Sequence, residues 1–414
     1  MPPVNASTTS LQYILKTIYP NGLASVGYEN SPALALIRKR TDFTGENQAV
    51  PLRYGNQTGR SADFTRAKAL KRPSSGKKFL VTRAKDYCLG GIDAEAMKAA
   101  MSSGAIAEGL KNEIESMAYS MTRSISGALF KTGGGVIGQI ASGVATPTLT
   151  LTVPDDIVNF EVGMTLDSSA TPGDAVPPVF TQGGNQAVIT AVDRIAGTVT
   201  AGVAWNNGNA LGAGLAVGDY LFQSGDYGGK IKGFNAWIPS AAPGALDNFF
   251  GVNRSSDVTR LGGIRVGALS TIEETLLYAV SLVGREGGKV DTIFMHPLDF
   301  KDLVTALGSK VMYTQVNAST TAAVGFKAVE IIGTTGPVKV IADLNCERGT
   351  AWALQLDTWC LWSLGDLIHT VDDDGNKMLR DSDSDSVEIR MRSFAQLVCS
   401  APGYNARVVL PVAP

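Results

Sequence analysis

The sequence predicts an α+β fold with a β-rich module set into it. Three features carry that expectation: a stripe of apolar residues at helical spacing between residues 105 and 131, short period-two runs separated by glycine and proline turns elsewhere, and an abrupt change of composition between residues 132 and 229. With 414 residues, 44% of them hydrophobic, the chain can bury a sizeable core in two or three compact units. Charged residues are 18%, below the roughly 25% of a typical globular chain, whereas 46 glycines and 18 prolines supply many turns.

Residues 1 to about 45 mix short apolar runs with turn residues such as Tyr19-Pro20-Asn21-Gly22 and hold no sustained period, which predicts an extended arm. Between Arg53 and Lys85 stand ten cations, Arg53, Arg60, Arg66, Lys68, Lys71, Arg72, Lys77, Lys78, Arg83 and Lys85, against the single acid Asp63. The edges of that stretch, Ala49 to Tyr54 and Lys78 to Thr82, read as strands, and Arg72-Pro73-Ser74-Ser75-Gly76 reads as a turn. A long basic two-stranded loop results. Because an isolated ribbon is marginal in water, it should lie on something else, and a neighbouring subunit is the natural candidate.

The long helix follows. Ile106, Leu110, Ile114, Met117, Met121, Ile125 and Leu129 recur at spacings of three and four, with Glu108, Lys111, Glu113, Glu115 and Arg123 mainly off that stripe. About 25 residues at about 1.5 Å each give a rod of roughly 38 Å, stopped by Gly133-Gly134-Gly135. Residues 132 to 229 then carry one base, Arg194, against eight acids. Alternating runs at Thr148–Val153, Ala187–Val192, Thr198–Val203 and Tyr220–Gln223 predict a small barrel or sandwich.

Helices return at Ser270-Thr271-Ile272-Glu273, which has the form of a capping box and leads the stripe Ile272, Leu276, Val280, Val283 up to Gly287-Gly288. A strand at Val290–Met295 and a helix from Pro297 to Leu307, ended by Gly308, come next. Strands are predicted at Ala328–Ile332, Val338–Ala342, Trp352–Leu356 and Trp359–Trp362, then at Val387–Val398 and Ala406–Leu410.

Little in this chain resembles catalytic chemistry. Its two histidines, His296 and His369, read as a helix cap or packing residue and a strand residue. There is no Gly-x-Ser-x-Gly, and the Gly-Gly-Lys segments at 228–230 and 287–289 lack the rest of a phosphate-binding loop. Cys88, Cys346, Cys360 and Cys399 form no C-x-x-C pair and read as buried thiols in a reducing compartment. No catalytic residue, cofactor or metal is expected. The net charge of -2 offers no global field for phosphate, and the absence of a long apolar run argues against a membrane span. The opening Met1-Pro2-Pro3-Val4-Asn5 has no leader pattern, so a protein soluble in the cytoplasm is expected.

From Asp366 to Glu388, eight acids face two bases. A calcium loop with Gly375 in its sixth position would begin at Thr370, which has no carboxylate. Two readings stay open: Asp372, Asp373, Asp374, Asp381 and Asp383 form a solvated hairpin, or they meet the basic loop of a neighbouring subunit.

An arm, a long basic hairpin, one long amphipathic helix, a mixed α/β region and a closing strand resemble, in that order, the tailed-phage major capsid fold of the Hong Kong 97 type. The segment Asp291-Thr292-Ile293-Phe294-Met295-His296-Pro297-Leu298-Asp299-Phe300 is similar to the strand, proline and helix of that family's axial domain. The resemblance covers about 315 residues and implies an N-arm at 1–45, an extended loop at 46–88, a peripheral domain with its spine helix at 89–135, an axial domain with peripheral strands at its edges at 230–370, and a return to the peripheral domain at 371–414. Residues 136–229 fall outside the minimal plan as an inserted barrel-like domain.

The resemblance further implies self-assembly through hexamers and pentamers into an icosahedral shell around double-stranded DNA, touched non-specifically. Assembly in the host bacterial cytoplasm, a place in the virion and no membrane partner follow from it. A scaffolding protein, a portal and a decoration protein are the further partners implied. Some relatives join subunits by a lysine–asparagine isopeptide bond, for which Lys77 or Lys78 would be the loop lysine. The intersubunit candidates are therefore Arg53, Arg60, Arg66, Lys68, Lys71, Arg72, Lys77 and Lys78 on one side and Asp372, Asp373, Asp374, Asp381 and Asp383 on the other. Two other functions compete: a bacterial nanocompartment shell of the encapsulin kind, and a carbohydrate-binding surface protein acting through the inserted domain.

Overall fold

The computed structural model describes residues 31–93, 105–173, 185–308, 312–317, 325–334, 336–371, 379–380 and 385–411. Among these residues the strands form a six-stranded sheet, a seven-stranded sheet, a closed barrel and a two-stranded hairpin.

One strand organises the six-stranded sheet. β20 (Ser386–Cys399) is 14 residues long and pairs antiparallel with β4 (Ala84–Asp93), β17 (Trp359–Ser363), β18 (His369–Thr370) and β19 (Leu379–Arg380). β1 (Arg38–Arg40) joins β17 in parallel, so the end of the arm enters this sheet. The pairing also draws in residues 84–88, which the sequence alone assigns to the basic loop.

The long helix α3 (Ala105–Ala128) lies on this sheet, with Met117 and Met121 against Ile389 and Met391. Gly90 permits the close approach, since a Cβ there would stand 2.4 Å from the Met117 sulfur. The helix stops at Ala128, before the glycine run expected to end it, and Leu129 and Phe130 turn fully into the core.

In the seven-stranded sheet the order is β11 (Ile264–Val266), β21 (Ala406–Val409), β16 (Thr350–Leu354), β12 (Thr292–Met295), β15 (Gly336–Ala342), β14 (Gly325–Gly333), β13 (Met312–Asn317). β12 is buried on both faces, as a central strand covered on two sides should be. Ile293, Met295, Val340, Ala351 and Ala353 face one core with helices α5 (Ile272–Arg285) and α6 (Pro297–Leu307). Phe294, Ile341 and Trp352 face the other.

Local chemistry sets both helices. α6 begins with His296 as its cap, the ring Nδ1 accepting from Leu298 N at 3.3 Å, has Pro297 in its first turn, and ends at Gly308 with φ 55°. In α5 the cap is Thr271, whose hydroxyl accepts from Glu274 N at 3.2 Å, one residue later than the predicted Ser270–Glu273 box. The segment Ser-Thr-Ile-Glu-Glu allows either register; burying Leu276, Ala279, Val280 and Val283 selects the second.

Three further expectations change. Ala406–Leu410 does not close beside β20: β21 lies between β11 and β16 in the other sheet. The strand expected to reach Leu356 ends at Leu354, followed by a 3-10 turn at Leu356–Thr358. Of the four cysteines, Cys346 and Cys399 are buried and Cys88 and Cys360 half-buried, and none forms a disulfide.

The acidic module is a closed barrel in the order β10 (Tyr220–Gln223), β5 (Val136–Ser142), β6 (Thr148–Leu151), β9 (Thr198–Ala201), β8 (Ala187–Asp193), β7 (Thr165–Ser169). Its core of Leu149, Phe160, Leu166, Ile189, Val199, Trp205 and Leu221 draws on no residue of the rest of the chain. Entry and exit run side by side, with Gly228 N donating to Gly134 O at 2.8 Å and Lys230 N to Gly133 O at 3.3 Å.

A third core joins the arm's end, the hairpin base, α3 and the two sheets. It unites Ala33 and Ile37 from the arm's end, Val50 and Phe79 from the hairpin, Ile125 and Phe130 from the end of α3, and Trp352, Trp359 and Leu397 from the two sheets. Trp237 sits fully buried at its centre in the short helix α4 (Phe234–Trp237).

Two outcomes follow from this plan. Because the barrel's ends lie together, replacing residues 136–226 with a short glycine linker leaves a body that still unfolds cooperatively in denaturant, with the emission of Trp237, Trp352, Trp359 and Trp362 retained and that of Trp205 lost. Trp237→Ala, by contrast, opens a cavity in the shared core and lowers unfolding stability by about 3–5 kcal/mol in the same measurement.

Candidate intersubunit surface

Strands β2 (Asn47–Gly55) and β3 (Ser75–Thr82) pair antiparallel from Asn47↔Thr82 outward, with a bulge between Arg53 and Gly55. Their alternation divides the ribbon. Val50, Leu52, Phe79 and Val81 are buried in the shared core, and Leu80 N donates to Phe250 O at 2.9 Å. The base of the hairpin therefore lies on its own chain, not on a neighbour as its sequence suggests.

The outer half is different. The tip spans residues 56–74 and holds a short helix, α2 (Phe64–Ala69), with no buried residue; Asp63 caps it by accepting from Thr65 N at 3.0 Å. The turn expected at Arg72–Gly76 is absent because Ser75 already begins β3. Arg53, Arg60, Arg66, Lys68, Lys71, Arg72, Lys77 and Lys78 are all exposed, and none forms an ion pair among the described residues. Phe64 is 82% exposed and Leu70 54%, an apolar pair among eight cations.

Sequence reading missed that apolar pair because it treated the tip as a turn. The pattern Asp63-Phe64-Thr65, an N-cap before a helical turn, was the available signal. The acidic candidates Asp372, Asp373, Asp374, Asp381 and Asp383 lie outside the described residues.

The arm's end is fixed by a buried carboxylate. Asp343, fully buried, accepts from Ala33 N at 3.0 Å and from the Ser31 hydroxyl at 3.3 Å through Oδ2, and from Asn345 N at 2.9 Å and its Nδ2 at 3.2 Å through Oδ1. It serves helix α1 (Pro32–Leu36), whose own preceding Ser31 makes no side-chain cap. Burial raises the Asp343 carboxyl above its ordinary value even with these bonds in place.

Among the described residues, three ion pairs join the barrel to the body: Arg123–Glu161 at 3.4 Å, Lys131–Asp156 at 3.6 Å and Arg348–Asp155 at 3.6 Å. Lys131 also meets Glu347 at 3.2 Å, so one ammonium serves two carboxylates. Burial works against the charge on Lys131, but those carboxylates together hold it above its usual value; Asp156 is raised by burial, with repulsion from Glu347 and Asp155 added. The module's acids are therefore not simply a solvated surface. At least three of them dock.

His296 is a buried cap, and His369 receives the Arg392 Nε–H at 2.9 Å on its Nε2. Burial pushes the Cys399 thiol up to about 12 and the Cys346 thiol well above its usual value, so both are protonated and poor nucleophiles. Among the described residues no cluster of His, Cys, Asp or Glu is arranged to hold a metal ion, and no helix is long and apolar enough to cross a membrane.

No protein-family model and no curated protein matches the sequence. Solved structures do. A chain of the cyanophage A-1(L) capsid asymmetric unit superposes with a TM-score of 0.54 at 12% identity, over 95% of this chain and 96% of that one. The chain has the tailed-phage major capsid fold. The capsid of a native GTA particle aligns over 96% of both chains at 10% identity with a TM-score of 0.48, and a chain of Mycobacterium phage Ogopogo over 98% and 99% at 10% identity with 0.45.

At such low identity the capsid fold is maintained by patterning, and Asp343 is one of the few buried charges in this version of it. Its raised folded pKa fixes a sign. The unfolded chain releases this proton first, so the contribution is fully present below the unfolded value of 3.8 and is lost as pH rises through the folded value. Asp343→Asn offers one acceptor oxygen where two are used, which destabilises the arm's end at every pH. Its deficit against the native protein shrinks as pH rises from the acid side of the carboxylate range to neutrality, and denaturant unfolding across that range measures it.

Proposed function

We propose that the chain is a shell subunit which self-assembles, through hexamers and pentamers, into an icosahedral capsid enclosing double-stranded DNA. The observation that carries this reading is the hairpin: its base is built into the subunit's own core, while its tip holds exposed Phe64 and Leu70 among cations with no partner carboxylate among the described residues. A monomer gains nothing from such a projection. A neighbour that covers it removes apolar surface from water and supplies counter-charge.

On this reading residues 1–45 are the N-arm, the hairpin the extended loop and α3 the spine helix of a peripheral domain around β20; the seven-stranded sheet is the axial domain and the barrel an insertion. The acidic stretch that includes Asp372, Asp373, Asp374, Asp381 and Asp383 supplies complementary charge on the neighbouring subunit. The particle forms in the host bacterial cytoplasm with a scaffolding protein, portal and decoration protein as further partners, and touches packaged DNA non-specifically. The subunit carries no catalysis. Trp205, the barrel's single tryptophan, is fully buried and offers no stacking face to a sugar, so the carbohydrate-binding alternative has no support from this module.

Exposed ion pairs contribute only about 0.2–1 kcal/mol each, whereas covering a phenylalanine contributes about 1.5–3 kcal/mol. Apolar burial at the tip therefore supplies most of the adhesion, and charge sets register and salt dependence. Phe64→Ser is expected to raise the concentration needed for assembly by at least about tenfold, the factor that about 1.4 kcal/mol represents, with the circular dichroism of the subunit unchanged. Replacing Lys77 and Lys78 with Glu weakens assembly most at low salt. Electron microscopy and sedimentation of the protein, expressed alone and with its neighbouring phage genes, read both effects. A wild-type protein that stays a monodisperse monomer under both conditions overturns the proposal.

A further inference from the structure

We infer that the barrel is not a fixed part of the body but a hinged unit whose lean is set by a screenable charge latch. Four observations converge on this. First, the apolar core of the barrel, from Ile137 to Leu221, is closed on itself and shares no residue with the cores of the body. Second, the chain enters and leaves through one two-stranded neck of adjacent segments at Thr132–Gly135 and Asp226–Gly229. A two-stranded ribbon standing alone bends and twists easily.

Third, away from the neck, clefts lined by both polar and apolar groups open between the barrel and the body. One, of about 470 Å³, runs between α3 and the barrel and is lined by Tyr119, Arg123, Asn159, Glu161 and Gln223 among others. A second, of about 270 Å³, lies beyond it and includes Val153, Asp155, His296, Glu347 and Arg348. Fourth, what spans these clefts is charge: Arg123–Glu161, Lys131–Asp156 and Arg348–Asp155, at 3.4–3.6 Å. The Arg348 and Asp155 side chains are 47% and 31% exposed, and Glu161 is 53% exposed and shared with Arg194 of the barrel itself.

Arg348–Asp155, the most exposed of the three, is the pair that salt weakens most, whereas Arg123 at 17% exposure and Lys131 and Asp156 at 21% each are better shielded. The neck stays anchored, because Lys230 at its root is held by Asp86 at 3.2 Å and by Asp226 at 3.0 Å, with the Lys230 side chain only 13% exposed. The barrel therefore swings about a fixed root and does not detach. In a shell, where identical subunits meet different neighbours, the barrel would take the lean each position allows; that consequence alone rests on the shell reading, whereas the swing is a property of the single subunit.

The test uses the full-length, unassembled protein. Spin labels are placed on cysteines introduced at Ile195, in the barrel and 99% exposed, and at Leu246, in the body and 98% exposed, with Cys88 and Cys360 changed to Ser so that only the buried thiols remain. Pulsed electron paramagnetic resonance then reads their separation. A narrow distribution at low ionic strength is expected to broaden and shift at about 1 M salt, where the screening length falls to about 3 Å. Arg348→Glu should broaden it without added salt, and Asp155→Arg in the same chain should narrow it again. A distribution unmoved by both salt and Arg348→Glu overturns the inference. The salt series needs no substitution in the latch, so it stands even where Arg348→Glu fails to fold, and it reads the same in a protein that never forms shells.

Discussion

Trp237 donates its indole N–H to the carbonyl of Leu397 at 3.0 Å, deep inside β20, and its ring meets Phe79 of the hairpin at 5.3 Å, Phe249 at 5.0 Å and Trp359 at 6.4 Å. Through Phe234 the same aromatic cluster reaches Trp359 at 4.8 Å, Trp352 at 5.7 Å and Phe130 at 5.3 Å. The hairpin base, the end of α3 and both sheets each have a residue in this cluster or against it. Large rings suit the position because each carries much apolar area while an indole can still satisfy a buried backbone acceptor. The cluster determines where the hairpin leaves the body, where α3 ends and how the two sheets are set against each other.

The two sheets meet through that cluster and not through shared strands. Alternation in the central strands of the seven-stranded sheet sends Phe294, Ile341 and Trp352 into the aromatic core and Ile293, Val340 and Ala353 into the helix-covered one. A slip of one residue in β12 would turn Phe294 toward the helices and put Ile293 or Met295 where its ring belongs. The buried Asn405 reinforces the junction: its Oδ1 accepts from Trp359 Nε1 at 2.8 Å and Gln355 N at 2.9 Å, and its Nδ2 donates to the Ala401 carbonyl at 2.9 Å.

Much of this was legible where the determinants are local. Helix α6 has both predicted ends because His296-Pro297 and Gly308 carry their own start and stop chemistry. β10 was read to the residue, and the stripe Met117, Met121, Ile125 and Leu129 is buried as its spacing requires. Pairing between distant segments was not legible. β21 is a short apolar strand that alternation alone fits to either sheet, and only its neighbours β11 and β16 decide. The intersubunit candidates show the same limit: the cations were visible as a run, but Phe64 and Leu70 gain meaning only once the tip is seen to leave them uncovered. Composition is equally silent on the barrel's docking, since a count of acids cannot distinguish those facing water from those facing Arg123, Lys131 and Arg348.

Apolar and charged groups accordingly do separate jobs in this chain. Where the relation between two parts is fixed, as between the sheets, the hairpin base and α3, the contact is dry and aromatic, and the indole N–H of Trp237 within it is paired. Between barrel and body the described contacts include ion pairs, and Arg348–Asp155 among them is open to solvent. Buried pairs such as Arg254–Asp247 at 2.9 Å, with Arg254 also donating to the carbonyls of Ala236 and Trp237, belong to the first class, because removing either partner strands a charge inside the body. Of the latch pairs, Arg348–Asp155 belongs to the second, because water replaces a lost partner there at little cost. The proposed shell reading and the inferred swing of the barrel both rest on this division between a dry body and charged appendages.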